Sequence, residues 1–205
     1  MRVRLGSFAD VQLGKYDQPV ETGNTAYLQV RHFDDEGQLQ QPLDSFIMTE
    51  VVPDIHDLRH GDVLLTGKGY RLFAWAYDPA IGPAVASPAF FVVRPSEKMV
   101  LARYLAIILN APSAKKWLSM LGAGNSIPSI RKSELESMEL DVPSLEIQEK
   151  IVELNRLHEL DVALSRRLIA EKQKVFYTAI NHLISRTPDI SPPNWKRINE
   201  WYDPK

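Results

Sequence analysis

The chain has 205 residues, 44% hydrophobic and 24% charged, enough for one packed domain and an appendage. It contains no cysteine, which excludes disulfides and cysteine-ligated zinc and suits a reducing cytoplasm. The formal net charge of −2 conceals a segregation. Residues 1–58 carry 4 Lys/Arg against 10 Asp/Glu, residues 59–132 carry 10 against 3, and residues 133–205 carry 10 against 13. Only the middle segment therefore attracts phosphate.

The N-terminus, Met1–Leu5, lacks the apolar core of a signal peptide, and the apolar run around Tyr104–Leu109 is too short to span a bilayer. Residues 1–95 read as β-rich. Short apolar or alternating runs fall at Val3–Leu5, Ala26–Phe33, Val63–Thr66, Leu72–Tyr77 and Ala89–Val93. Turn chemistry separates them at Gly23-Asn24, Asp35-Glu36-Gly37, Gly67-Lys68-Gly69 and Asp78-Pro79. Ser96 is expected to cap a helix running to Asn110, and Pro112 suits the first turn of another over Ser113–Leu121. Gly122–Ser126 breaks that helix, Ser133 with Glu136 forms a capping box for a short one, and Leu140–Pro143 is an extended link.

From Ser144 to Ser185 no proline or glycine interrupts the chain, which predicts one helix roughly 60 Å long. Leu154, Leu157, Leu164, Leu168 and Val175 share a heptad frame, while Asp161, Glu171 and Thr178 interrupt it. Such a broad stripe calls for a partner helix, with folding across its own head domain as the alternative. Residues 186–205 contain Pro188, Pro192, Pro193 and Pro204, and Trp195, Trp201 and Tyr202 there predict a docking tail. The expected organisation is an α+β domain over residues 1–142, a spacer or dimerisation helix over 143–185, and a tail over 186–205.

Catalytic patterns are sparse. Gly67-Lys68-Gly69 lacks the spacing of a phosphate-binding loop, the five histidines form no helical metal pair, and no serine sits in a nucleophile elbow. Asp34-Asp35-Glu36-Gly37 resembles a hairpin turn more than a cation loop. The expectation is no catalytic residue, no metal and no cofactor.

Binding has better support. Thr66-Gly67-Lys68-Gly69-Tyr70-Arg71 gathers two glycines, two cations, a hydroxyl and an aromatic between apolar strands. Lys68 and Arg71 suit phosphates, Thr66 and Tyr70 suit base edges, and glycine permits close backbone approach. Gly124-Asn125-Ser126 followed by Arg131-Lys132 offers amides plus cations as a second clamp. Gln29 and Arg31 alternate on an expected strand, where they could read adenine and guanine. An ordinary hairpin turn, a plain interhelix loop and a solvated strand face are the respective alternatives.

In order and spacing the chain resembles the specificity subunits of Type I restriction-modification systems over residues 2–185. The resemblance rests on Val3–Val11, Tyr27-Leu28-Gln29-Val30-Arg31, Gly61–Thr66, Ala86–Phe90, Tyr104–Asn110, Gly124–Pro128 and above all Val142-Pro143-Ser144-Leu145-Glu146-Ile147-Gln148. It implies a target recognition domain and a conserved spacer helix, with no chemistry of its own. The implied partners are double-stranded DNA, methyltransferase subunits and a restriction/translocase subunit. With one domain and one spacer the chain looks like half a subunit. That predicts a homodimer with antiparallel spacers reading a gapped palindrome, or pairing with a different half-subunit. A protein-interaction adaptor that does not bind DNA and a metal-dependent nuclease using acidic residues 34–57 are the rival functions.

Overall fold

The computed structural model describes residues 1–49, 55–122 and 126–185. The chain divides into two compact units, Met1–Asn155 and Arg156–Lys205. The first is an α+β domain with three sheets among the described residues. β1 (Arg2–Arg4) pairs antiparallel with β9 (Glu139–Asp141), opposing Val3 to Leu140. β2 (Ala9–Leu13), β8 (Phe90–Pro95), β5 (Val63–Thr66) and β6 (Ala74–Ala76) form an antiparallel sheet in that order. A third sheet orders β4 (Phe46–Ile47), β3 (Thr25–Leu28) and β7 (Ala84–Ala86), with β3 and β7 parallel.

The continuous apolar runs of β5 and β8 arise because both faces of their sheet are covered. Side chains alternate between the faces of a strand. Val63, Leu65, Phe91 and Val93 therefore enter one core, with Tyr104, Leu105 and Leu109 of α1 (Ala102–Asn110) and Leu118 of α2 (Pro112–Leu121). Leu64, Phe90 and Val92 enter the other, with Leu28, Phe33, Phe73, Tyr77, Ala84 and Ala86. The β6 edge is closed by the Asn110 side chain, which accepts from Ala74 N–H at 3.0 Å and donates to Ala74 C=O at 2.7 Å. An amide thus takes the place of a neighbouring strand.

Several local expectations need correction. The strand expected over Ala26–Phe33 stops at Leu28, and Val30–His32 is a 3-10 turn. Its entry is held by His32 Nδ1, which accepts from Gln29 N–H at 3.1 Å. The helix expected from Ser96 starts at Ala102, because Ser96 C=O closes a separate turn with the N–H groups of Met99 and Val100. Ser133 is not a cap: α3 (Lys132–Glu136) is entered from Arg131, whose N–H donates to Glu134 Oε2 at 3.0 Å. β2, β4, β7 and β9 are strands not expected as such, and the last three have two or three residues each.

α4 runs from Leu145 to Ser185, one residue short of the expected start. Its first turn is anchored by Gln148, which is fully buried. Gln148 Oε1 accepts from Leu101 N–H at 2.9 Å, and its Nε2 donates to the carbonyls of Met99 at 2.8 Å and Pro143 at 2.9 Å. Leu154, Leu157, Leu164, Leu168 and Val175 are all exposed. The expected tail, with Trp195, Trp201 and Tyr202, lies outside the described residues, as do Gly124 and Asn125. Among the described residues no helix is long and apolar enough to cross a membrane.

Candidate nucleic-acid interface

Two segments far apart in sequence are joined into one surface. Lys68, in the turn after β5, bridges antiparallel to Ser129, in the segment leading to α3. Gly69 N–H donates to Pro128 C=O and Ile130 N–H donates to Gly67 C=O, both at 2.9 Å. The Tyr70 hydroxyl donates to Ser126 C=O at 2.8 Å, although the Tyr70 residue is 80% exposed. The expected Lys68 and Arg131-Lys132 sites are therefore neighbours on a miniature ladder.

The glycines of the turn answer to the fold. A Cβ on Gly67 would lie 2.5 Å from Cε2 of the buried Phe91 ring, so this position makes room for the core. Gly69 has φ +97, a conformation that L side chains rarely adopt, with open space around it. Close approach of a partner is not what requires Gly67.

α2 completes the surface. Leu118, Ser119 and Gly122 line a cleft of about 120 Å³ together with Gly67, Gly69, Tyr70, Leu72, Pro128 and Ile130. Lys115 precedes Ser119 by one helical turn and lies on the same face, with Lys116 beside it. Lys68, Lys116, Arg131 and Lys132 are exposed and Lys115 half-buried. Lys132 lies 3.6 Å from Glu136 in an exposed i,i+4 pair, a weak restraint. Lys115 and Lys116 were missed in the sequence reading, although a signal exists: no carboxylate occurs between Glu97 and Glu134.

Other candidates serve the fold. Thr66 is wholly buried, and its Oγ1 accepts from Phe73 N–H at 3.0 Å, so the expected contact with a base edge is corrected. Arg71 donates to the carbonyls of Val30 at 3.2 Å, Phe33 at 2.7 Å and Asp34. Its Nε lies 3.7 Å from Asp35, and the guanidinium lies over the Phe73 ring at 5.6 Å. The side chain expected to meet phosphate thus staples the 30–35 turn to the β5–β6 connection.

Gln29 and Arg31 do not alternate along a strand. Arg31 donates from Nη1 to Asp44 and from Nη2 to Ser45 Oγ, both at 2.6 Å, and from Nε to Gln29 Oε1 at 3.0 Å. Asp44 also lies 2.9 Å from Nε2 of the buried His32. The Arg31 hydrogen bond, with help from His32, holds the Asp44 carboxyl at about 2. Burial pushes the His32 imidazole below its ordinary value. The two predicted base readers belong to a satisfied polar knot. Among the described residues Ser126, Lys68, Gly69, Tyr70, Arg131 and Lys132 are brought together, while Gln29, Arg31, Thr66 and Arg71 are engaged elsewhere.

This surface lies inside the region that defines the family. Residues 63–172 match the Type I restriction modification DNA specificity domain, and the chain belongs to that family. Over 103 residues it is 27% identical to the Type I restriction enzyme HindI specificity subunit of Haemophilus influenzae, covering 47% of this chain and 22% of that protein. Among solved structures, the HsdS subunit from Thermoanaerobacter tengcongensis superposes over 95% of this chain and 51% of its own, with TM-score 0.66 and 20% identity. The Type I restriction-modification S subunit from M. genitalium does so over 92% and 46%, with TM-score 0.58 and 14% identity. A chain from a study of complex assembly and conformational transition in the type I R-M system gives TM-score 0.61 at 20% identity, over 87% and 43%. These likenesses establish the fold, and this chain spans about half the length of the solved proteins and less of the HindI subunit.

Proposed function

We propose that the chain is a non-catalytic, sequence-specific double-stranded DNA recognition subunit, reading one half-site per chain for a methyltransferase or restriction complex. Residues 1–142 act as the target recognition domain and residues 143–185 as the spacer. The observation that carries this reading is the fusion of the Lys68 turn with the Ser126–Lys132 segment, at a cleft that Ser119 of α2 also lines. It joins Lys68 to the segment leading into Arg131 and Lys132, with Lys115 one helical turn from Ser119, in a chain whose total charge is slightly negative. Lys68, Lys115, Lys116, Arg131 and Lys132 meet phosphates, while Tyr70 and Ser126 stand where base edges would pass. The exposed leucine stripe of α4, with Leu154, Leu157, Leu164, Leu168 and Val175, pairs antiparallel with the same stripe of a second copy. The two recognition domains then read a gapped palindrome.

Salt dependence of duplex binding tests the interface. Each phosphate neutralised contributes a slope of about −0.9 in log K against log salt. Five engaged cations therefore set a slope of about −4.5 per chain. Lys68→Ala should weaken binding to all sequences alike and flatten the slope by about 0.9. An unaltered slope removes the turn from the interface. Tight partner binding with no salt-dependent DNA affinity would instead identify an adaptor acting through α4.

A further inference from the structure

The cleft beside the cations has a chemistry of its own. Its lining is mostly aliphatic: Leu72, Leu118, Pro128 and Ile130, with Gly67, Gly69 and Gly122 opening the space. Among the described residues, several polar groups around it are already paired within the chain. Ser119 Oγ donates to Lys116 C=O, the Tyr70 hydroxyl donates to Ser126 C=O, and the Gly67–Ile130 and Gly69–Pro128 backbone groups bond one another. A polar ligand would thus lose hydration with few free partners, whereas an apolar group loses nothing. At about 120 Å³ the cleft exceeds a single water site several-fold. Lys68 and Arg131 each adjoin lining residues in sequence and Lys115 lies one helical turn from Ser119, so the charge near this depression favours a group carried on a polyanion. In duplex DNA the apolar feature of a base edge is the C5-methyl of thymine in the major groove.

We infer that the cleft formed by Leu72, Leu118, Ser119, Pro128 and Ile130 under Tyr70 receives the C5-methyl edge of one thymine in each half-site. This inference rests on the DNA-reading function and adds the kind of base read and the residues that read it. Lys68 and Lys115 hold the flanking phosphates, and shape complementarity in the cleft separates T·A from C·G at that position. The methyl is selected by burial, so its contribution is insensitive to salt, unlike that of the lysines.

The test begins with selection of bound duplexes from a random pool by the full chain. Each thymine of the selected half-site is then replaced singly by deoxyuridine, which lacks only the methyl. One position should lose affinity about fourfold, the effect of withdrawing one methyl from apolar surroundings, with the salt slope unchanged. Ser119→Leu places a side chain in the cleft and should bring the thymine-to-uracil ratio at that position to one. Ser119→Met, filling the same space more flexibly, should do likewise. A half-site without thymine, indifference to every uracil replacement, or a ratio unaffected by both Ser119 variants overturns the cleft while leaving sequence-specific binding in place. Absence of any sequence preference overturns both the cleft and the function on which it rests.

Discussion

Gln148 offers the sharpest energetic test of the domain. It is fully buried, and its three hydrogen bonds go to backbone groups of Leu101, Met99 and Pro143. Leu101 is the N-cap of α1, where no capping side chain of its own is available. Gln148→Met keeps the length of the side chain and deletes all three bonds. At about 1 kcal/mol each, the loss is roughly 3 kcal/mol, with the stranded Leu101 N–H as the costliest element. That is a large fraction of the ~5–15 kcal/mol that stabilises a typical domain, and it lowers the melting temperature by roughly 6–12 °C. Urea unfolding followed by tryptophan fluorescence should show a lower midpoint at an unchanged m-value. Gln148→Glu adds a directional check. One carboxylate oxygen can still accept from Leu101, but the other faces two carbonyls, which raises the folded-state pKa above the ordinary ~4.3. Relative to the parent, this variant should be most stable in acid and lose stability as the pH rises through that raised value. A melting temperature for Gln148→Met within about 2 °C of the parent would refute the assignment of Gln148 as the anchor.

The His32–Asp44 knot predicts acid sensitivity in two stages. Burial lowers the His32 pKa, so the unfolded chain takes up protons first and stability falls as the pH drops below about 6.5. Asp44, held at about 2 against an ordinary 3.8, contributes stability that is complete above 3.8 and lost towards 2. Urea midpoints measured from neutral to acid pH should show both declines, and His32→Gln should remove the first. A midpoint that stays constant between neutral pH and 5 would contradict the role of His32. Gly67→Ala drives a Cβ into the Phe91 ring and should cost about 1–3 kcal/mol in thermal unfolding. Gly69→Ala, in open space at φ +97, should cost only about 1–2 kcal/mol of backbone strain. Leu157→Glu combined with Leu164→Glu should halve the light-scattering mass of a spacer-paired dimer, while a mass unchanged from the parent would place the contact elsewhere.

The sequence alone determined the features that depend on local chemistry. The run behind Pro143 indicates α4, since it lacks breakers and is rich in Leu, Glu, Lys, Arg and Ala, which favour helix. Val63–Thr66 and the strand beginning near Ala89 were legible because apolar, β-branched residues between turns have few alternatives. Tertiary structure decided everything that depends on long-range pairing. β7 is three alanine-and-valine residues that become a strand through parallel pairing with β3 and an antiparallel bridge from Asp57 to Val85. Gln29-Val30-Arg31 looked extended until His32 and Asp44 closed a polar knot around it. Arg71 and Thr66 looked available until the carbonyls of Val30, Phe33 and Asp34 and the Phe73 backbone claimed their hydrogen-bonding groups. The joining of Lys68 to Ser129, and the cleft their neighbours share with Ser119, had no local signal. Backbone hydrogen bonds between segments some sixty residues apart carry no pattern in either segment. The physical reason is general: a side chain's identity states which contacts it can make, and only the packed chain determines which of those contacts are already spent.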